Sequence, residues 1–170
     1  MQEDIHNIDA AFVRRFNFVF ASPPCQLYSR GTLQYQNKGL KTYPDLIPYT
    51  RELLKASGVP SVIENVPESG IRPDFMLCGT MFGLPIMRHR HFEVINWKPD
   101  YSKLYCNHTG SSHVIAGSFK GSIHDAANSM GCYPTRLRSE LKEGIPPAYI
   151  KFVFDSFLTS AQLFNISPAH

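Results

Sequence analysis

Apolar residues in this chain come in short blocks separated by proline, glycine and polar turns. The first clear block, Phe16-Asn17-Phe18-Val19-Phe20-Ala21, is cut off by Ser22-Pro23-Pro24-Cys25-Gln26. Aromatic and β-branched residues predict a buried strand, and two prolines must end it, because proline lacks the ladder N–H and fixes φ. Ahead of it, Ala10–Arg15 suits a short helix. Beyond it, Leu27–Tyr43 is polar and glycine-containing, which predicts a long loop. Leu46, Ile47, Thr50, Leu53, Leu54 and Ser57 then recur at helical spacing, with Gly58 as C-cap before Pro60. Ser61-Val62-Ile63 predicts a second buried strand, with Glu64-Asn65-Val66-Pro67 at its end. Strand, helix and strand in this order make a parallel crossover, which brings both strand ends to the same edge of a sheet.

The second half is less regular. Phe75–Leu84 is apolar and glycine-punctuated, as core strand and turn are. Arg88-His89-Arg90-His91-Phe92-Glu93-Val94 alternates, so an extended backbone puts Arg88 and Arg90 on one side and His89 and His91 on the other. Such a segment is either an edge strand whose charges deter aggregation or a pair of arginines placed to hold an anion. His113–Ala116 suits a strand and Ile123–Met130 a short helix. Pro146 and Pro147 stand at permitted first-turn positions of a last helix, with Tyr149, Ile150, Val153, Phe154, Phe157, Leu158 and Ala161 forming its apolar stripe. That helix is expected to pack on the sheet, with a frayed tail after Leu163.

Composition narrows the class. With 170 residues, 43% hydrophobic and 18% charged, a single α/β domain with a true core is expected, and disorder is excluded. The net charge of +3 is compatible with a polyanion partner without requiring one. Residues 97–142 carry six basic against three acidic residues, an excess equal to that of the whole chain. The four cysteines form no CxxC pair, and neither a secretory leader nor a membrane-length apolar run is seen, so a reducing, cytoplasmic setting without membrane contact is expected. Cys106, His108, His113, His124 and Cys132 raise the question of metal. Cys106-Asn107-His108 lacks the paired spacing of a structural zinc site, so no metal ligand is expected, and Cys78 reads as a structural core thiol.

Chemistry concentrates at the two strand ends. A cysteine on a proline-stiffened loop at the carboxyl edge of an α/β sheet is either an inert buried thiol or a nucleophile. Glu64 at the neighbouring strand end gives that thiol a carboxylate partner. In the long loop, Tyr28, Tyr35 and Tyr43 interleave with Arg30, Lys38 and Lys41, a mixture suited either to bases and phosphates or to an ordinary solvated surface.

Four ordered pieces then align: Pro24-Cys25-Gln26, Glu64-Asn65-Val66, Arg88-x-Arg90, and Ile145-Pro146-Pro147-Ala148-Tyr149. Together they resemble the cytosine-C5 DNA methyltransferases, most of all the short phage-type members, in which Leu77-Cys78-Gly79-Thr80-Met81-Phe82-Gly83 and the Arg-His-Arg segment recur. The resemblance implies a partial class I methyltransferase sheet, Rossmann-like, with a small irregular target-recognition region. It divides the chain into a catalytic core (1–96), a recognition region (97–138) and a C-terminal segment returning to the core (139–170).

It also implies roles. Cys25 would add to C6 of a flipped-out cytosine, Glu64 would contact N3 and the exocyclic amine, and Arg90, assisted by Arg88, would hold O2. Asp4, Ile5, Pro23, Leu53 and Pro147 would belong to the site for S-adenosyl-L-methionine. Gln26, Ser29, Arg30, Asn65 and Lys120 would meet DNA. The family's first strand, its glycine-rich turn and the acidic residue that holds the ribose have no counterpart here, so half of the cofactor site and an apolar sheet edge are expected to need covering. Three arrangements would answer this: a split enzyme completed by a cofactor-binding subunit, a non-catalytic DNA-binding or regulatory relative, and a remnant or homo-oligomer that rebuilds the site.

Overall fold

In a computed structural model, residues 3–29, 32, 38–99, 105–109, 121–133 and 138–163 are described. The expected loop residues Arg30 and Tyr35, the strand at 113–116, Lys120 and the tail after Leu163 lie outside them. The chain is mixed α/β. Among the described residues its sheet has four strands, β1 (Val19–Ala21), β2 (Ser61–Asn65), β3 (Phe75–Leu77) and β4 (Arg90–Ile95), in the order β1-β2-β4-β3. Among the described residues the α-helices with given bounds are α1 (Ala10–Val13), α2 (Ile47–Ser57), α3 (Ile123–Met130), α4 (Arg138–Glu143) and α5 (Pro147–Leu163).

The chain divides into two compact units, each discontinuous in sequence. The first comprises Met1–Phe75, His91–Pro99 and Ser160–His170, the second Met76–Arg90 and Asp100–Thr159. Met76–Arg90, expected in the catalytic core, thus clusters with the later part of the chain.

In the first unit β1 and β2 pair in parallel, Val19 against Ser61 through Ala21 against Ile63, with α2 as the crossover. Gly58, at φ 74°, ends α2 in the left-handed conformation that glycine adopts without penalty. Val13, Ile47, Leu54, Val59, Ile63, Ile71 and Ile95 form the core. Here α1 and α2 bury their apolar faces, a gain of roughly 1.5–3 kcal/mol for each fully buried large aliphatic side chain. Asn96, with φ 63°, ends β4, and its side-chain amide donates to the carbonyls of Leu54 (2.8 Å) and Val59 (3.1 Å). Trp97 belongs to this unit: its indole N–H donates to Ser61 O at 2.8 Å and its ring meets Phe18 edge-on.

Three expectations are corrected. The first strand is shorter than the apolar run, and Phe16 is solvent-exposed. The second strand is longer, so that Glu64 and Asn65 are its last residues and are buried. The Arg-His-Arg strand is not an edge: β4 lies between β2 and β3 and runs antiparallel to β2, which makes the sheet mixed. The interior position explains Glu93, a buried carboxylate facing a fork of two 2.8 Å hydrogen bonds from Arg51.

In the second unit Ile86, Ala126, Ala127, Met130 and Leu141 form a separate core. Ser122 caps α3 in a reciprocal box with Asp125, and Gly131 closes the helix at φ 65°. On α5 the expected stripe splits: Tyr149, Val153 and Phe157 are buried, whereas Ile150, Phe154 and Leu158 are exposed. Among the described residues no helix is long and apolar enough to cross a membrane.

Candidate active site

Parallel pairing of β1 with β2 sets Ser22-Pro23-Pro24-Cys25 beside Glu64-Asn65. The Ser22 hydroxyl donates to Glu64 Oε2. One residue on, the Asn65 side-chain amide donates to the Pro23 carbonyl at 2.9 Å, while its oxygen accepts from Val66 N–H at 2.9 Å. Proline has no N–H to enter a ladder, so a side chain from the neighbouring strand end secures the loop instead. Cys25 follows, half-buried, and its carbonyl accepts from the N–H groups of Tyr28 (3.0 Å) and Ser29 (2.9 Å), which turns the chain back at once. Gln26 continues that turn, its carbonyl accepting from the Thr32 hydroxyl. Opposite Asn65 on β4, burial pushes the His91 pKa down, against a weaker pull upward from Glu68.

Tyr28 is not presented for stacking on bases. It packs against the first core, and burial together with a hydrogen bond to Asp45 pushes its hydroxyl up to about 12.

Residues expected at the cofactor fall in both units. Asp4 caps the short 3-10 turn Ile5–Asn7 and is committed to His6, to its N–H at 2.9 Å and its Nδ1 at 2.8 Å. Ile5 is half-buried and Pro23 buried. Leu53 lines a cleft of ≈ 360 Å³ with His6, Tyr49 and Ala56 among its walls, and the His6 and Tyr49 rings lie 4.7 Å apart. Pro147, in the second unit, is the exposed first residue of α5.

The two arginines, also in the second unit, have different settings. Arg88 is buried, and its guanidinium donates to the carbonyls of Lys142 (2.5 Å) and Gly144 (2.6 Å), satisfying the end of α4, while its own carbonyl accepts from the Tyr149 hydroxyl at 2.6 Å. Burial pushes the Tyr149 hydroxyl far above its ordinary pKa. Arg90 is half-buried and reaches back to the His89 carbonyl at 2.8 Å.

A second constellation, missed by sequence reasoning, lies wholly within the second unit. Cys78, His89, Cys106 and His108 bring one donor atom each to within 4.8 Å of one another. Cys78 follows β3 directly, and Gly79 is required beside it, since a Cβ there would lie 2.2 Å from Ile86 Cγ2 and 2.5 Å from Ile86 O. Burial raises the Cys78 thiol, but hydrogen bonds from the Thr80 hydroxyl and N–H, from His108 and from Cys106 outweigh it and lower the pKa to about 7. Cys106 moves the opposite way, raised by burial and by the neighbouring sulfur. The expectation of no metal ligand rested on Cys106-x-His108 alone. The sign available in the sequence was a second Cys/His pair, Cys78 and His89, whose ten-residue gap the 3-10 turn Gly79–Phe82 folds up.

Compared with protein-family models, curated proteins and solved structures, the chain matches none.

Proposed function

We propose that this chain is the nucleophile-bearing part of a DNA (cytosine-5)-methyltransferase whose methyl-donor site is completed by another polypeptide or by a second copy of the chain. One observation carries the reading: the Ser22–Gln26 loop is tied to Glu64 and Asn65 through Ser22 and Pro23, so a thiol-bearing loop and a buried carboxylate share one edge of the sheet. C5 of cytosine becomes nucleophilic only after C6 is attacked, which calls for a thiolate and a group that stabilises charge at N3. Cys25 supplies the first and Glu64 the second. The base must leave the duplex to reach them. Within the second unit Arg88, whose guanidinium serves the backbone of residues 142–144, positions the segment that carries Arg90.

S-adenosyl-L-methionine supplies the methyl group when bound. The cleft at Leu53, with the His6–Tyr49 ring pair among its walls, is where the nucleoside end of the donor would sit. The half-buried apolar strand β1, at the sheet's edge among the described residues, favours a completing chain.

The test uses DNA tritiated at cytosine C5. Addition of Cys25 to C6 lets C5 take a proton from water, and elimination then expels tritium and the thiolate together. Tritium release that disappears in Cys25→Ser supports the reading. A preparation that binds DNA yet releases no more tritium than Cys25→Ser overturns it in favour of a DNA-binding, non-catalytic protein.

A further inference from the structure

The geometry points to a zinc site built from Cys78, His89, Cys106 and His108, closed by four protein ligands and structural in function. It is independent of the methyl-transfer reading. Zinc–sulfur and zinc–nitrogen bonds of about 2.3 and 2.0–2.1 Å place neighbouring ligand atoms of a tetrahedral ion about 3.5 Å apart. Cys78 Sγ and His108 Nε2 are 3.5 Å apart, and His89 Nε2 and Cys106 Sγ are 3.3 Å apart. Cys106 Sγ and His108 Nε2, at 2.5 Å, need to open by about 1 Å to admit the ion. Those two residues lie on the stretch Tyr105–Thr109, whereas Cys78 is buried and fixed by the Gly79 turn.

The donor set selects the metal. Two thiolates and two imidazoles in a tetrahedral arrangement suit zinc, and the pair of thiolates cancels the charge of the ion, so a half-buried centre carries no net charge. Binding requires both sulfurs as thiolates and so displaces the thiol protons that remain. The surroundings are those of ligands held in place. Thr80 Oγ1 lies 3.5 Å from Cys78 Sγ and 3.6 Å from Cys106 Sγ, where a hydroxyl supports a thiolate, and Asn107 Oδ1 accepts from Thr109 N–H (2.9 Å) and Oγ1 (2.8 Å), which holds the Cys-x-His turn. With four protein ligands no position is left for water or substrate. The ion would instead staple residues 105–109 to the ends of the segment Cys78–His89.

Purified under reducing conditions and dialysed against metal-free buffer, the chain is expected to retain one zinc per molecule by mass spectrometry. Cobalt added to the stripped chain is expected to give the intense visible absorption of a tetrahedral thiolate complex. Cys106→Ser and His108→Ala, both on the more exposed arm, should lose the stoichiometric zinc, Thr80→Val should weaken its binding about 10–100-fold, and Cys132→Ser should retain it. No bound zinc and no cobalt spectrum in wild-type chain with both thiols reduced would overturn the inference. So would full zinc occupancy in the Cys106→Ser/His108→Ala double variant, or a Cys78–Cys106 disulfide in protein alkylated at lysis.

Discussion

The Asn65 side chain donates to the Pro23 carbonyl at 2.9 Å across 42 positions of sequence, tying the end of β2 to the loop that carries Cys25. Asn65 is buried, so removing its amide leaves a carbonyl without that partner in a dry setting. Asn65→Ala is expected to lower stability by about 1–3 kcal/mol. Asn65→Asp keeps the oxygen that accepts from Val66 but sets a carboxylate against the Pro23 carbonyl, so it should cost at least as much at pH 7 and recover partly on acidification. Urea denaturation at two pH values measures both. In each variant Cys25 should react faster with iodoacetamide under native conditions than in wild type.

Arg51 and Glu93 make the first unit acid-sensitive. Burial alone would raise the Glu93 pKa, but the Arg51 fork and the Arg72 N–H overcome it and hold the carboxyl below its ordinary value. A depressed folded-state pKa contributes stability that is complete above the unfolded value of about 4.3 and is lost as pH falls through the folded one. Thermal melts from pH 7 downward should therefore show a loss beginning below about pH 5 that Glu93→Gln flattens. Arg51→Gln strands a buried carboxylate and should cost about 3–5 kcal/mol at pH 7.

Local spacing made part of this fold readable. Val19–Ala21, Ile47–Ser57 with its Gly58 cap, Ile123–Met130 and the start of α5 all stand where periodicity and caps put them. The parallel β1–β2 pair was legible too, because strand, helix and strand leave few alternatives. What spacing could not show was environment. Glu64 reads as a residue just beyond the strand until β2 is extended by two residues and buries it, and Arg88 reads as an anion holder until the carbonyls of residues 142 and 144, more than fifty positions away, are brought to it. The Cys78/His89/Cys106/His108 group was hidden for the same reason: its two halves meet only in the folded chain.

Gly79 offers a sharp test of the second unit. An alanine methyl would lie 2.5 Å from the Ile86 carbonyl oxygen, which is backbone and cannot rotate away. Gly79→Ala is expected to destabilise by about 1–3 kcal/mol, the usual cost of overpacking, and pairing it with Ile86→Val should not restore the loss. Denaturant midpoints of the single and double variants decide it.

Arg88 should behave as a helix-end clamp. Arg88→Met removes hydrogen bonds from a charged donor, worth about 1.5–3 kcal/mol each, so amide exchange should accelerate across residues 139–149 more than across β2. Arg88→Lys should repair little, since one ammonium does not reproduce a fork serving two carbonyls. Equal exchange in wild type and Arg88→Met would contradict this role.

The tie between Asn65 and Pro23 also bears on how the first unit comes into being. Ser22 with Glu64, Arg51 with Glu93 and Leu54 with Asn96 are each separated by 42 residues, as Pro23 and Asn65 are. Contacts so distant along the chain reward the closing of long loops only after the loops have closed, so this unit is expected to refold slowly beside the locally wound α3. On a ribosome, Cys25 would emerge well before the strand that holds its loop. Its thiol would stay unguarded until β2 and β4 had followed.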